Sequence, residues 1–506
     1  MNTAPHLDSA GRPLADLLGE FASVPAQLRV TDVTLDSRAV RPGALFLACR
    51  GRSHHGLAFA SEALARGARA VLYEPPADPP EALAALGAQV FVAAVPQLGA
   101  RAGLIAARFF GEPARALSIA AVTGTNGKTT CAWLLAQALE RCGRSAAYLG
   151  TLGYGRPGAL EHAAHTTADP VTLHRQLARV RELGARWVGM EVSSHALDQQ
   201  RIAGLPVHTA AFTNLTRDHL DYHGTMSAYG RAKARLFELT TLVTRVINID
   251  DAFGAELAAR PGAGERIVTS RRGAVAPQGA RWVRGSAVRP QGVGLYIAVA
   301  TSWGAGELTM PLIGDFNADN TLTVLAVLLG AAVPFEAALA ALKTCRAAPG
   351  RMEAFGGDAG RPLAIVDYAH SPDALAQALS NARRHCRGRL RVVFGCGGDR
   401  DSGKRPMMGG IAAELADEVI LTDDNPRSEA PERITADILA GMPGGAVRIE
   451  HDRAAAIRAA LEVSGAGDVV LIAGKGHETV QIYGAVPHPF SDQAVVRATL
   501  GLGEGA

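Results

Sequence analysis

Thr123-Gly124-Thr125-Asn126-Gly127-Lys128-Thr129-Thr130 stands between an apolar run, residues 117–122, and a stretch, residues 131–139, whose apolar residues recur at helical spacing. The reading is strand, glycine-rich turn, helix. Such a turn aims backbone N–H groups at a phosphate, and the helix N-terminus adds a favourable dipole. Lys128 supplies a point charge, and the Thr129 hydroxyl suits a metal ion that bridges phosphates. The stretch from Gly124 to Thr130 therefore points to a nucleoside triphosphate. The full Walker spacing wants a glycine at position 122, which is Val122. A ligand-free strand-to-helix connection is the alternative. A second near match, Gly398-Asp399-Arg400-Asp401-Ser402-Gly403-Lys404, has the Walker spacing, but Arg405 stands where Ser or Thr belongs. Two aspartates inside that loop would repel a triphosphate.

Around this centre, the chain of 506 residues exceeds what one hydrophobic core supports, so several domains are expected. Hydrophobic residues make up 48% and charged residues 20%, as in ordinary globular proteins. The formal net charge of +3 gives no case for nucleic acid as a partner. Cys49, Cys131, Cys142, Cys345, Cys386 and Cys396 are dispersed with no C-x-x-C pair, which argues against a zinc site or a disulfide framework. Scattered thiols fit a reducing cytoplasm. Residues 1–13 have no apolar core and do not read as a signal peptide. The most apolar run, near 324–333, is broken by Gly330 and followed by Pro334, so membrane insertion is not expected.

Strand-like runs at 44–49, 70–73 and 90–94 alternate with alanine-rich helical stretches. Residues 187–192 and 243–249 read as further buried strands of a parallel sheet around the phosphate loop. Residues 268–312 read as antiparallel strands or loops, and 314–329 as a helix. Ala-Ala-Pro-Gly within 346–350 punctuates the chain. Strands at 364–366, 390–394, 418–422 and 469–472 follow, each before a helix. The fold class expected is α/β in three domains, 1–113, 114–347 and 348–506.

Polar clusters follow several strands. Glu191, in Met190-Glu191-Val192-Ser193-Ser194-His195, suits Mg²⁺ or a structural hydrogen bond equally. Asn214-Leu215-Thr216-Arg217-Asp218-His219-Leu220-Asp221-Tyr222-His223-Gly224 is dense in His and Asp and reads as a metal or phosphate site, with a solvated loop as the alternative. Tyr229, Lys233 and Phe237 share one helical face, and from spacing alone Lys233 reads as a lysine snorkelling to solvent. Asp367-Tyr368-Ala369-His370, Asp423-Asp424-Asn425-Pro426-Arg427 and Gly474-Lys475-Gly476-His477-Glu478 end three strands, where open α/β sheets bind ligands. Together they predict a polar substrate on the third domain.

Taken together, these motifs resemble the Mur ligase family of peptidoglycan synthesis, over nearly the whole chain from Leu35 to Asp492. The resemblance implies a central P-loop ATPase-like parallel sheet flanked by an N-terminal UDP-sugar-binding α/β domain and a C-terminal Rossmann-like α/β domain. It implies ATP at Gly124, Thr125, Asn126, Gly127, Lys128, Thr129 and Thr130, with Asn317, Arg351 and Asp367 near the nucleotide. It implies Mg²⁺ held by Thr129, Glu191, His219 and a carbamate on Lys233, with Lys128, His219 and Lys233 as the catalytic set. Leu35, Ser37, Thr166, Thr167, Ser193, Gln199 and Arg201 match positions that bind a UDP-N-acetylmuramoyl dipeptide. Arg400, Asp424, Asn425, Pro426, Arg427, Gly474 and Glu478 match positions that bind meso-diaminopimelate.

The implied reaction is amide formation: the γ-phosphoryl group passes to a D-glutamate carboxylate, and an amine of diaminopimelate displaces phosphate from the acyl phosphate. Domain closure would exclude water from that intermediate. The resemblance implies a cytoplasmic enzyme in cell wall formation, expected as a monomer. His55 and His165 depart from the family pattern, where Asp and Asn are common, and bear on the UDP-sugar contacts. Folylpolyglutamate synthetase shares the ATP motifs but fits the Asp-Asn-Pro-Arg turn and the long N-terminal region less well. A non-catalytic nucleotide-binding regulator would not need Glu191, His219 and Lys233 together.

Overall fold

Apolar runs bounded by glycine and polar turns become strands, and the alanine-rich stretches between them become helices that cover both sheet faces. The computed structural model describes residues 11–51, 54–75, 90–358, 360–442, 444 and 447–503. Of the residues read above as lacking a signal peptide, 1–10 lie outside the described set. The chain forms two compact units, Met1–Val268 with Pro277–Ala280, and Thr269–Ala276 with Arg281–Ala506.

The first unit begins with four parallel strands in sequential order: β1 (Val33–Thr34), β2 (Leu45–Ala48), β3 (Ala70–Tyr73) and β4 (Phe91–Ala94). Helix α1 (Leu98–Phe109) packs beneath them, with Leu98, Ile105 and Phe109 fully buried. Burial of such side chains contributes about 1.5–3 kcal/mol each. Where the family pattern has Asp, His55 caps the turn Gly56–Phe59: its Nδ1 accepts from Leu57 N at 3.1 Å, and its Nε2 meets the Glu74 carbonyl at 2.8 Å.

The rest of this unit is built on β5 (Ser118–Thr123) and α2 (Lys128–Arg141). β6 (Ala146–Gly150), β7 (Gly153–Arg156) and β8 (Ala159–Glu161) follow, then α3 (Pro170–Glu182), β9 (Trp187–Glu191), β10 (Thr209–Phe212), α4 (Met226–Ala234), β11 (Thr244–Asn248) and β12 (Glu265–Ser270). The strand order is β8-β7-β6-β9-β5-β10-β11-β12. β5 pairs in parallel with β9 on one side and β10 on the other. The turn after β5 therefore lies between the carboxyl ends of two neighbours. Asp169 caps α3 by accepting from Val171 N and Thr172 N, with Pro170 at the first helical position.

In the second unit, the stretch read as antiparallel strands or loops is three long antiparallel strands: β13 (Arg281–Gln291), β14 (Gly294–Thr301) and β15 (Gly304–Met310). α5 (Phe316–Gly330) ends at the glycine that interrupts the apolar run. Among the described residues, no helix is long and apolar enough to cross a membrane. A six-stranded sheet follows, made of β16 (Glu353–Gly356), β17 (Leu363–Asp367), β18 (Leu390–Phe394), β19 (Glu418–Leu421), β20 (Val447–Ile449) and β21 (Val469–Ala473). Its order is β16-β17-β21-β18-β19-β20, parallel except for β16. A hairpin of β22 (Val480–Tyr483) and β23 (Val486–Pro489) completes the chain before its last helix.

Candidate active site

In the first unit the phosphate loop closes on itself and on the neighbouring strand end. Gly124 has φ +151°, and a Cβ there would stand 1.9 Å from Thr213 Oγ1, so only glycine fits. Val122, at the missing Walker glycine, is a buried strand residue whose carbonyl accepts from Val192 N at 2.9 Å. The turn begins two residues later, and the shorter loop needs no glycine at 122. Asn214 clamps the loop: its carbonyl accepts from Thr125 N at 2.8 Å and its Oδ1 from Asn126 N at 2.9 Å. Thr129 and Thr130 open α2, whose first N–H groups have no partner within the helix.

Two lysine side chains share one carbonyl. Lys128 Nζ donates to Gly124 O at 2.9 Å and to Thr125 O at 2.7 Å, while Lys233 Nζ donates to Gly124 O at 2.7 Å. Lys233 does not snorkel: it is 1% exposed. The carbonyl and the face of the Tyr229 ring, 4.4 Å from Nζ, replace water. Burial, reinforced by the Lys128 charge, pushes the Lys233 amine well below the ordinary lysine range. α4 ends at Ala234, so Phe237 sits on a following 3₁₀ turn, Arg235–Glu238; all three residues of the expected face are buried. Tyr229 also ties this helix to the loop through Thr125 Oγ1, 3.2 Å from its hydroxyl.

Glu191 ends β9 fully buried. Its Oε2 accepts from Thr129 Oγ1 at 2.8 Å and Thr151 Oγ1 at 3.3 Å; its Oε1 accepts from Thr151 N at 2.8 Å and from the Tyr148 hydroxyl. A buried carboxylate beside a rotatable hydroxyl is an oxygen donor set that fits a hard cation such as Mg²⁺. His219 is not part of that pair. It is exposed, with its ring 4.8 Å from His195 and 6.1 Å from Tyr229 and its Nε2 3.4 Å from Asp218 Oδ2. Among the described residues, no group of three or more His, Cys, Asp and Glu side chains is arranged to hold a metal ion.

Five of the expected UDP-sugar positions form one network running from Glu191. Thr166 Oγ1 lies 3.0 Å from Thr151 Oγ1. Thr167 Oγ1 donates to Glu191 O and accepts from Ser193 N. Arg201 Nη1 donates to Thr167 O at 2.7 Å, and its Nε and Nη2 hold Gln199 Oε1. Ser193 caps the turn that follows, accepting from Ala196 N. Ser37 lies apart from this network, donating to Glu62 Oε2 at 2.6 Å, and Leu35 packs at the edge of the N-terminal core.

In the second unit, Asn317 is buried in the first turn of α5, where Nδ2 donates to Ile313 O and Oδ1 accepts from Asn320. Asp367 ends β17 and accepts from Met352 N at 2.7 Å and Ala369 N at 2.9 Å; burial raises its carboxyl. The Arg351 guanidinium stacks 4.7 Å over Tyr368, and its Nε is buried without a partner among the described residues. His477, 5.3 Å from the Tyr368 ring, also buries an unpartnered Nδ1, and burial lowers its pKa to about 4. Between pH 6.5 and 4 the unfolded chain therefore binds a proton that the folded chain refuses, so stability falls as pH drops through that window. A urea midpoint measured at pH 7 and pH 5 is expected to drop more for the unaltered chain than for His477→Gln.

Four strand ends of the six-stranded sheet meet nearby. Asn425 Oδ1 accepts from Ile482 N at 3.0 Å, and its Nδ2 donates to Glu478 Oε2 at 2.9 Å. Arg427, at φ +54°, donates through Nη1 to Gly398 O at 2.8 Å, leaving Nε and Nη2 without a protein partner among the described residues. Gly397 separates Arg427 from Arg400: a Cβ there would stand 3.0 Å from Arg427 Nη1 and 3.7 Å from Arg400 Cγ. Pro426 is buried beneath. The Asp424 carboxylate has no hydrogen-bond donor among the described residues, and a side chain at Gly474 would meet it at 2.7 Å. In the loop with Walker spacing, Arg405 is fully buried and binds Glu429 and Asp437, while Asp399 holds Ser428. Asp399 and Arg405 are thereby committed to partners outside the loop.

Sequence reasoning missed Tyr148 and Thr151, which hold Glu191, and gave Lys475 no role; no local spacing marks any of them. The fold and loop define a class: α/β proteins with a glycine-rich phosphate loop at the end of a central parallel strand. Family descriptions match the chain as "Mur ligase family, catalytic domain" over residues 29–109, "Mur ligase middle domain" over 122–328 and "Mur ligase, glutamate ligase domain" over 350–476. The chain is 49% identical over 481 residues to the UDP-N-acetylmuramoyl-L-alanyl-D-glutamate–2,6-diaminopimelate ligase of Alkalilimnicola ehrlichii, covering 94% of this chain and 96% of the relative. A solved structure of a ligase of that name aligns with TM-score 0.69 and 35% identity over 97% of this chain and 99% of the other. The folylpolyglutamate synthase of Mycobacterium tuberculosis shares the fold, at TM-score 0.57 and 16% identity over 73% of this chain and 91% of that one. This chain belongs to the Mur ligase family, and its architecture is the three-domain fold of those ligases.

Proposed function

We propose that this chain is the ATP-dependent ligase that joins meso-2,6-diaminopimelate to the D-glutamate carboxylate of UDP-N-acetylmuramoyl-L-alanyl-D-glutamate in peptidoglycan synthesis. The observation that carries the reading is the meeting of Asp424, Asn425, Arg427, Gly474 and Glu478 at one end of a parallel sheet, where the Asp424 carboxylate and the Arg427 Nε and Nη2 have no protein partner among the described residues. An amphoteric amino acid fits such a set. The relatives at 44–49% identity bear the name of this reaction. The matched ranges 29–109, 122–328 and 350–476 support a division into domains 1–113, 114–347 and 348–506.

The residues from Gly124 to Thr130 receive ATP, with Lys128 neutralising charge on the transferred phosphoryl group. Asn317, Arg351 and Asp367 contribute to the nucleotide site. Thr129 and Glu191 would hold Mg²⁺, and the family resemblance adds His219, exposed in this structure, and a carbamate on Lys233 as further ligands. The ion would supply Lewis-acid charge neutralisation at the phosphates. Lys233 is suited to carbamate formation because its buried amine favours the neutral form, which adds CO₂ and releases a proton. Leu35, Ser37, Thr166, Thr167, Ser193, Gln199 and Arg201 bind the UDP-sugar dipeptide; Arg400, Asp424, Asn425, Pro426, Arg427, Gly474 and Glu478 bind diaminopimelate. A carboxylate oxygen attacks the γ-phosphorus, ADP leaves, the amine attacks the acyl carbon, and phosphate departs. The reading includes a monomer in the cytoplasm; among the described residues no helix is long and apolar enough to cross a membrane.

The test is ADP release by the purified chain with Mg²⁺. Release is expected only when the UDP-dipeptide and diaminopimelate are both present. ATP binding with no ADP release under any combination of substrates would favour a non-catalytic nucleotide-binding regulator. Arg427 sets the choice of amino acid, because its free Nε and Nη2 can grip the extra carboxylate that lysine lacks. Arg427→Ala is expected to raise KM for diaminopimelate by roughly 10²-fold and to leave turnover of lysine unchanged. Arg427→Lys should not restore the fork. Equal use of lysine and diaminopimelate by the unaltered chain would contradict the assignment.

A further inference from the structure

Lys475 belongs to the strand-end clusters and has no role in the reading above. It follows β21 and is wholly buried, yet it carries an ammonium group. Its Nζ donates to Asn425 Oδ1 at 3.0 Å and to Glu478 Oε2 at 3.0 Å. A buried lysine without partners would be costly, and here both partners are residues read as touching the amino-acid substrate.

Lys475 has only donors, so the Asn425 atom facing it must be the oxygen. That choice turns the Asn425 NH₂ toward Glu478 Oε2, and Ile482 N holds the same oxygen from the other side. Glu478 Oε2 thus receives both the lysine and the amide, leaving Oε1 without a donor among the described residues. The Asp424 carboxylate is free in the same sense. The Asp424 carboxylate lies against Gly474, where a Cβ would meet its Oδ2 at 2.7 Å, and Glu478 is near enough to act on Asp424 electrostatically. Asp424 is desolvated, which raises its carboxyl, and the Arg453 charge, followed by that of Lys475, works against that rise. Arg453, the other buried cation of this region, is committed to Asp492 at 2.7 and 2.8 Å.

We propose that Lys475 is a positioning residue for the incoming amino acid: it fixes the Asn425 amide and holds Glu478, so that Glu478 Oε1 and Asp424 present two anionic oxygens to a substrate ammonium. Arg427 offers its fork to a carboxylate. The pair of features selects a zwitterionic terminus. This inference rests on the reading of these residues as the diaminopimelate site.

The experiment compares the full-length chain with Lys475→Met, Lys475→Gln, Glu478→Gln and Arg427→Ala, measuring kcat and the separate KM values for meso-diaminopimelate, ATP and the UDP-dipeptide, with thermal denaturation alongside. Lys475→Met is expected to raise KM for diaminopimelate roughly 10- to 100-fold, with kcat and the other two KM values little changed. An unchanged KM for diaminopimelate overturns the proposal, as does a parallel rise in all three KM values. Should the Met variant not fold, the shorter, uncharged Gln variant is judged on the same readouts. Where Glu478→Gln and Arg427→Ala also leave that KM unmoved, the site reading fails; where they raise it and the Lys475 variants do not, only the role of Lys475 fails.

Discussion

Lys128→Met is expected to lower kcat by roughly 10²–10³-fold without unfolding the chain. The ammonium is held at the mouth of the loop by Gly124 O and Thr125 O, and among the described residues no other lysine donates into that turn except Lys233, which is buried. A preorganised cation in a site shielded from water is worth more than the same charge in solvent, and its loss is not compensated by diffusible ions. Nucleotide affinity is expected to fall with kcat, measured by fluorescent ATP displacement. The substitution has a second consequence. Lys128 helps push the Lys233 amine toward its neutral form, so its removal leaves Lys233 more readily protonated. Activity lost in Lys128→Met is therefore expected to respond more steeply to added bicarbonate than that of the unaltered chain.

Lys233→Ala is expected to lower activity by roughly 10²-fold, with partial recovery on adding formate or acetate. Small carboxylates would occupy the space of the lost side chain and return one anionic oxygen pair to the neighbourhood of the loop. Carbamate formation consumes a neutral amine and releases a proton, so the carbamate fraction rises with pH. Because burial lowers the Lys233 pKa, that rise is expected at lower pH than for an exposed lysine. With ¹³C-labelled bicarbonate, one carbamate resonance is expected in the unaltered chain and none in Lys233→Ala. Full activity in the variant would remove the carbamate from the account.

What was legible in the sequence was local. The phosphate loop declared itself because glycine, lysine and hydroxyl residues sit within eight consecutive positions. The strands 187–191, 390–394 and 469–473 were legible because continuous apolar runs between turn signals have few alternatives in a two-faced parallel sheet. What spacing alone could not show depended on partners far along the chain. Lys233 looked like a surface lysine because its helix says nothing of Gly124, 109 residues away. Glu191 was balanced between two readings, and its cage comes from Tyr148 and Thr151, 43 and 40 residues distant. Asn425 and Glu478 were found as separate turns; the contact that joins them spans 53 residues. His219 was grouped with Glu191 by family resemblance, but in the structure its own neighbours are His195, Asp218 and Tyr229.

The central claim is that the D-glutamate carboxylate takes the γ-phosphoryl group before the amine arrives, and one isotope experiment bears on it directly. The UDP-dipeptide, labelled with ¹⁸O in its terminal carboxylate, is turned over by the purified chain with ATP, Mg²⁺ and meso-diaminopimelate. Inorganic phosphate carrying one ¹⁸O atom per amide formed is the result the account predicts. Unlabelled phosphate, or label appearing in AMP, would contradict it.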